Sequence, residues 1–217
     1  MQKAKEVILF DLDGTLTDPK AGITKSVAYA LDSFGIKTDD LNDLCCFIGP
    51  PLKDSFMNFQ AFSEADAIVA IEKYREYFKE TGLFENELYD GIDSMLQRLS
   101  TAGRQLIVAT SKPKIFADRI LEHFKIAQYF KEVCGSELDG TRTRKSEVIQ
   151  YALDKAGITD LSRAIMVGDR EHDVIGANEV GIPCIGVLYG YGSREEFEKA
   201  GAALIVESVK ELDRALL

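Results

Sequence analysis

Two aspartates one residue apart, Asp11 and Asp13, end the apolar run Val7 to Phe10 in VILFDLDGTLTD. Along an extended strand, residues i and i+2 lie on the same side, so the two carboxylates can share a site. Gly14 lets the chain turn tightly behind them. Other apolar runs also end in reactive groups. AIMVG (164–168) runs into Asp169, Arg170, Glu171, His172 and Asp173, and LIVAT (106–110) ends in Thr110 and Ser111, followed by Lys112. Lys145 opens a helical stripe just ahead of AIMVG. If these runs are neighbouring strands of an open parallel sheet, their carboxyl ends bring carboxylates, a hydroxyl and an ammonium to one spot. Carboxylates so close together require a bound proton or a hard cation. Mg²⁺ suits them, since it takes oxygen ligands, keeps waters and bridges to phosphate. With Lys145 and the Thr110 hydroxyl it makes a place for a phosphoryl group. A carboxylate attacks such a group only where the phosphate charge is offset.

These residues need a scaffold. The runs VILF (7–10), LIVAT, AIMVG, CIGVL (184–188) and ALIV (203–206) lack alternation, as strands covered on both faces do. Helical stripes lie between them: Ile92, Met95, Leu96 and Leu99, closed by Gly103; Ile115, Phe116, Ile120 and Phe124 after Pro113, which suits a first helical position; Val148, Ile149, Ala152, Leu153 and Ala156, closed by Gly157. Ser193 to Glu196 and Ser208 to Glu211 have capping-box spacing. Alternating strand and helix predicts an α/β fold with a doubly wound parallel sheet. From about Asp18 to Gly82 there is helical periodicity and no convincing strand, roughly 65 residues, too many for one crossover connection. The expected organisation is a core of residues 1–17 and 83–217 with an inserted all-helical domain over 18–82.

The totals agree. The chain has 217 residues, 46% hydrophobic and 29% charged, with a net charge of −10 and a pI near 4.8. Such a surface repels nucleic acid and anionic membrane, so neither polymer nor bilayer is the expected partner. Cys45, Cys46, Cys134 and Cys184 form no CxxC pattern, and the last two read as small core residues. The leading apolar stretch is too short for a secretory signal, and no stretch reaches the ~18 apolar residues of a membrane helix. A cytoplasmic setting is expected.

VILFDLDGTLTD, LIVATSKP, the Lys145 position and VGDREHDVIGA stand in the order of the four motifs of the haloacid dehalogenase superfamily. Over essentially its whole length the chain resembles the helical-capped phosphatases of that superfamily, the phosphoglycolate phosphatases and related 5′-nucleotidases. The resemblance implies Asp11 as nucleophile, forming an aspartyl-phosphate, and Asp13 as general acid and base. It implies Mg²⁺ held by the Asp11 carboxylate, the Asp13 main-chain carbonyl and Asp169, with Asp173 in support. Thr110 and groups near Ser111 would bind phosphoryl oxygens, and Lys145 would neutralise charge. Many relatives carry Lys-Pro-x-Pro at the third motif. GTRTRKSEVI stands here instead, leaving Arg142 and Arg144 beside Lys145 as candidates. The insert would be a cap closing over the site. Its FIGPPLKDSF loop (47–56) would face the substrate, with Gly49 and Lys53 as binding candidates and Lys20 and Lys25 near the hinge. The implied substrate is a small phosphorylated metabolite, a phosphoglycolate-like compound or a nucleoside 5′-monophosphate, bound by a monomer or homodimer.

Asp11 and Asp13 do not begin a calcium loop, because Gly14 is fourth and position twelve is Gly22. Asp169 and Asp173 also suit a helix start. Lys53 reads equally as a solvated lysine, Phe47 and Phe56 as helical-domain core, and His123 and His172 as helix surface. Gly190-Tyr191-Gly192 imitates a dinucleotide fingerprint, but position 195 is Glu. Competing functions are a sugar-phosphate mutase, a phosphonate-cleaving enzyme with an imine-forming Lys20 or Lys25, and a non-enzymatic phospho-receiver.

Overall fold

The computed structural model describes residues 5–217. Residues 1–4, part of the leading segment in which no secretory signal is expected, lie outside the described residues.

The chain starts with β1 (Val7–Phe10) and the two-residue strand β2 (Thr17–Asp18). It passes through α1 (Lys20–Asp32), α2 (Leu52–Gln60) and α3 (Glu64–Tyr77), and returns by β3 (Glu87–Leu88), which pairs with β2. Helix and strand then alternate: α4 (Ile92–Thr101), β4 (Gln105–Pro113), α5 (Lys114–His123), β5 (Phe130–Ser136), α6 (Lys145–Ala156), β6 (Ala164–Gly168), α7 (Glu171–Val180), β7 (Cys184–Val187), α8 (Arg194–Ala200), β8 (Leu204–Val206) and α9 (Val209–Leu216).

Two compact units result, one formed by the chain up to Asp18 with Leu88–Leu217, the other by Pro19–Glu87. The second edge of the helical unit therefore lies past Gly82, at Glu87.

In the larger unit, six strands form one sheet in the order β5-β4-β1-β6-β7-β8, and every pairing is parallel. The runs in β1, β6 and β7 have the cause expected of them: these strands are buried at every residue, as central strands covered on both faces must be; ALIV does not, because β8 is an edge strand and Leu204 is exposed. Val7, Leu9, Ile107, Ala109 and Met166 meet the α6 stripe Val148, Ile149, Ala152 and Leu153, and Val174 and Ala177 of α7. Each large aliphatic side chain buried there contributes about 1.5–3 kcal/mol. Ser193 and Ser208 cap α8 and α9, accepting from the N–H groups of Glu196 and Glu211. Pro113 differs from expectation. It ends β4 in extended backbone (φ −54°, ψ 130°), one residue before α5, and is not the first helical residue.

Within the helical unit, Phe47 and Phe56 are fully buried core residues with ring centroids 5.0 Å apart. Ser63 caps α3 through the Asp66 N–H. Lys25 pairs with Glu85 at 2.5 Å. Among the described residues, no helix is long and apolar enough to cross a membrane.

Candidate active site

The strand order makes β1 the neighbour of both β4 and β6. The three strand ends carrying Asp11, Thr110 and Gly168 therefore lie side by side, as parallel strands closing at their carboxyl edge require. Asp11 extends the ladder by donating its N–H to the Val167 carbonyl at 2.9 Å. Oxygens of Asp11, Asp169 and Asp173 all fall within 4.8 Å of one another, and all three residues are buried.

The turn after β1 is tailored to this crowding. Gly14 has φ +80°, and a Cβ there would lie 2.1 Å from Asp169 Oδ2. Only glycine satisfies both demands. Asp169 accepts from the Thr15 hydroxyl at 3.3 Å and from the Tyr191 N–H at 2.9 Å. The loop containing Gly190-Tyr191-Gly192 thus closes over Asp169, and a Cβ on Gly190 would lie 2.4 Å from that side chain. Asp173 sits in the first turn of α7 and accepts from the Arg170 N–H at 3.1 Å. The helix-start reading of Asp173 is therefore correct, but its other oxygen faces the site.

Lys145 Nζ lies 2.8 Å from Asp11 Oδ1 and 2.8 Å from Asp173 Oδ1, with the Ala109 carbonyl at 3.3 Å. Of the three basic candidates, Lys145 is the one that pairs with the acidic cluster. Arg142 pairs with Glu137 and stacks over the Tyr151 ring, while Arg144 is exposed and 3.9 Å from Glu179. Thr110 is buried, its hydroxyl accepting from the Lys112 N–H at 3.3 Å. Ser111 accepts at its carbonyl from the Ser136 hydroxyl at 2.7 Å.

Sequence reasoning passed over Lys112. Its side chain is as buried as that of Lys145, and its ammonium lies 2.8 Å from Asp13 Oδ2. LIVATSKP names Lys112 two residues beyond Thr110, but the register slip between Ala109 and Pro113 that places it is not a feature of the local pattern. β5 was missed too, because Lys131 and Glu132 interrupt its apolar run and it lies at the sheet edge.

Electrostatics follow from the packing. Four buried carboxylates (Asp11, Asp13, Asp169, Asp173) face two buried ammoniums (Lys112, Lys145), leaving two negative charges, the charge of one divalent cation. Burial, with Asp173 and Asp11 nearby, pushes the Asp169 carboxyl well above its ordinary range. Burial raises Asp173 to about 6, against the pull of Lys145 and with the push of Asp11. Burial likewise raises Asp13, opposed by Lys112. Burial would lower Lys145, but the Asp11 and Asp173 carboxylates outweigh it and hold the ammonium charged. An oxygen-rich, charge-deficient pocket of this kind fits Mg²⁺.

Gly49 and Lys53 belong to the helical unit. Gly49 takes φ +102° ahead of the Pro50-Pro51 turn, and Lys53 on α2 pairs with Glu64 at 2.5 Å. His172 is partly buried and its imidazole pKa is lowered, by burial first and then by Arg170. His123 is on the surface.

A parallel sheet with clustered carboxylates at its carboxyl edge defines an α/β protein with a candidate active site at its strand ends. The chain matches the haloacid dehalogenase-like hydrolase family over residues 8–187 and belongs to that family. It is 52% identical over 189 residues to a 5′-nucleotidase of Pseudomonas aeruginosa, covering 87% of this chain and 85% of that protein. It is 37% identical over 217 residues to the tyrosine-protein kinase PtkA of Mycobacterium tuberculosis, covering 99% of this chain and 73% of that protein. The crystal structure of a predicted phosphatase from Clostridium acetobutylicum superposes with a TM-score of 0.95 at 53% identity, covering 98% of each chain.

Proposed function

We propose that the protein is a Mg²⁺-dependent phosphatase that hydrolyses a nucleoside 5′-monophosphate through an aspartyl-phosphate. The observation that carries the reaction is the division of three of the buried carboxylates between two buried lysines, Asp11 and Asp173 on Lys145 and Asp13 on Lys112. The similarity to a 5′-nucleotidase at 52% identity supports the leaving group.

Asp11, with Lys145 beside it, is placed to form a bond from a carboxylate oxygen to phosphorus. The bond from phosphorus to the ester oxygen breaks, and Asp13 gives its proton to the departing alkoxide. In the second step Asp13 takes a proton from water, whose oxygen attacks phosphorus and releases Asp11 and inorganic phosphate. Thr110 and the backbone near Ser111 hold phosphoryl oxygens. Mg²⁺ would be held by Asp11, Asp169 and the Asp13 carbonyl, with Asp173 behind them. When bound, it supplies positive charge to the phosphoryl oxygens. Gly49 and Lys53 remain proposed contributors to substrate recognition, and the cytoplasm the proposed setting.

Phosphate release from nucleoside 5′-monophosphates, phosphoglycolate, a hexose phosphate and phosphotyrosine, each with Mg²⁺ and with chelator, tests this reading. Metal-dependent release concentrated on the nucleotides supports it. Release concentrated on phosphoglycolate reassigns the leaving group. Silence across the panel sinks the phosphatase and turns attention to the mutase, phosphonate and receiver alternatives.

A further inference from the structure

We propose that Lys112 is a positioning residue that keeps Asp13 apart from the Asp11–Lys145–Asp173 cluster, with one carboxylate oxygen held for proton transfer to the leaving group. This inference rests on the phosphatase reading above.

Three observations converge on Lys112. The first is the ion pair. The ammonium grips Asp13 Oδ2 at 2.8 Å, and both side chains are buried. Oδ1 of the same carboxylate is buried with no hydrogen-bond partner among the described residues. A buried carboxylate oxygen with no donor is costly. The grip on Oδ2 thus leaves Oδ1 as the oxygen open to the leaving group.

The second observation is the backbone that aims Lys112. β4 runs in regular register against β5 from Ile107 opposite Glu132 to Ala109 opposite Cys134, then slips so that Pro113 falls opposite Ser136. Such irregularities redirect side chains at the rims of sheets. The slip is anchored from β5. The Ser136 hydroxyl donates to the Ser111 carbonyl, and Gly135 clears the space, since a Cβ there would lie 2.5 Å from the Lys112 carbonyl and 2.8 Å from the Lys114 nitrogen. The Lys112 N–H meanwhile reaches Thr110 Oγ1. One bulge thus places the phosphate-binding hydroxyl and the Asp13 partner together.

The third is the division of charge. Asp13 lies two residues from Asp11, close enough for the Asp11 charge to bear on it. Lys145 is already engaged by Asp11 and Asp173. Without a lysine of its own, Asp13 is drawn to whatever positive charge the cluster holds and ceases to be a proton carrier. Two lysines for two strand-end aspartates separate a nucleophile from a proton donor.

The step involved is phosphoryl transfer to Asp11. The bond from phosphorus to the ester oxygen breaks as the Asp11 oxygen bonds to phosphorus, and the proton on Asp13 Oδ1 goes to the departing alkoxide. A p-nitrophenolate leaves without that proton, whereas an alkoxide does not. The test compares kcat/KM, which reports this first step, for p-nitrophenyl phosphate and an alkyl monoester in wild type, Lys112→Met and Lys112→Arg. General acid catalysis is worth about 10²–10⁴ in rate. Lys112→Met should therefore lose about 30-fold or more on the alkyl ester and under about fivefold on the aryl ester. Lys112→Arg, which keeps the charge and guards against a variant that fails to fold, should show the same split at smaller amplitude. In an Asp13→Asn background, adding Lys112→Met should change the alkyl rate by less than about threefold, because the two act as one unit. Equal losses on both esters, or a loss confined to KM, would overturn the proposal, since Lys112 would then be structural or hold the phosphate itself. A wild type that hydrolyses neither ester refutes the phosphatase reading and this inference with it.

Discussion

Gly14 and Asp169 are in such close apposition that a single added carbon on Gly14 would lie 2.1 Å from the carboxylate oxygen. The turn behind β1 and the loop after β6 therefore fit only while position 14 has no side chain. Gly14→Ala also forces a left-handed φ of +80° on a residue that resists it. It should cost about 1–3 kcal/mol of stability and displace Asp169, raising the Mg²⁺ concentration for half-maximal activity about tenfold or more. A metal titration of phosphate release alongside a thermal melt measures both. An unchanged metal requirement would mean that Asp169 is not a ligand.

Asp11→Asn removes the charge of the proposed nucleophile and little else, because Lys145 keeps Asp173 as a partner. The variant should melt within a few degrees of wild type while turnover falls by at least about 10⁴-fold. Acid-quenched enzyme incubated with ³²P-labelled substrate should carry label in wild type and none in the variant. Residual turnover near wild type would eliminate the covalent route.

Lys145→Met leaves the Asp11 and Asp173 carboxylates buried without their shared counter-ion. Removing one partner from a buried ionic cluster costs about 3–5 kcal/mol, so the expected result is a clear loss in denaturant midpoint together with loss of activity. Arg144→Ala, which removes an exposed side chain 3.9 Å from Glu179, should change neither by more than a small factor. If Arg144→Ala is the more damaging of the two, the basic role of the third motif has been placed on the wrong residue.

Stability without metal should fall as pH rises through 6. The Asp173 carboxyl is raised from 3.8 to about 6 in the folded protein by burial and by Asp11, against Lys145. Below about pH 4 the group is protonated whether folded or unfolded, and its contribution is fully present. Between 4 and 6 the unfolded form ionises first, and above 6 the native form must also hold the charge in an acidic cluster. A shift of this size corresponds to a loss on the order of 3 kcal/mol. Melts of chelated protein from pH 4 to 7 should show the decline, levelling off above about 6, and Mg²⁺ should restore the stability at the upper end. A chelated protein equally stable at both ends would contradict the raised Asp173.

Much of the site was readable in the chain because the rules that place it are local. A strand whose four residues are all apolar must be covered on both faces, and whatever follows its last residue is delivered to the sheet edge. Those two facts locate Asp11, Asp13, Thr110 and Asp169 without any knowledge of packing. Lys145 was legible as the first residue of a helical stripe. β5 was not, because Lys131 and Glu132 at a sheet edge obey no period that a buried strand would show.

Which lysine serves which aspartate was beyond the chain's local rules. Asp13 and Lys112 are far apart in sequence, and their contact depends on β4 lying beside β1 and on a register slip that Gly135 makes room for. The same holds for Gly14 and Asp169, where a glycine that reads as an ordinary turn residue turns out to be required by a carboxylate delivered from another strand. The sequence by itself determined the reactive groups and the strand ends that carry them, since periodicity and turn chemistry act over a few residues. Only the tertiary structure decided their pairing, because the distance between two charges, and so the role each carboxylate can play, is set by which strands lie side by side.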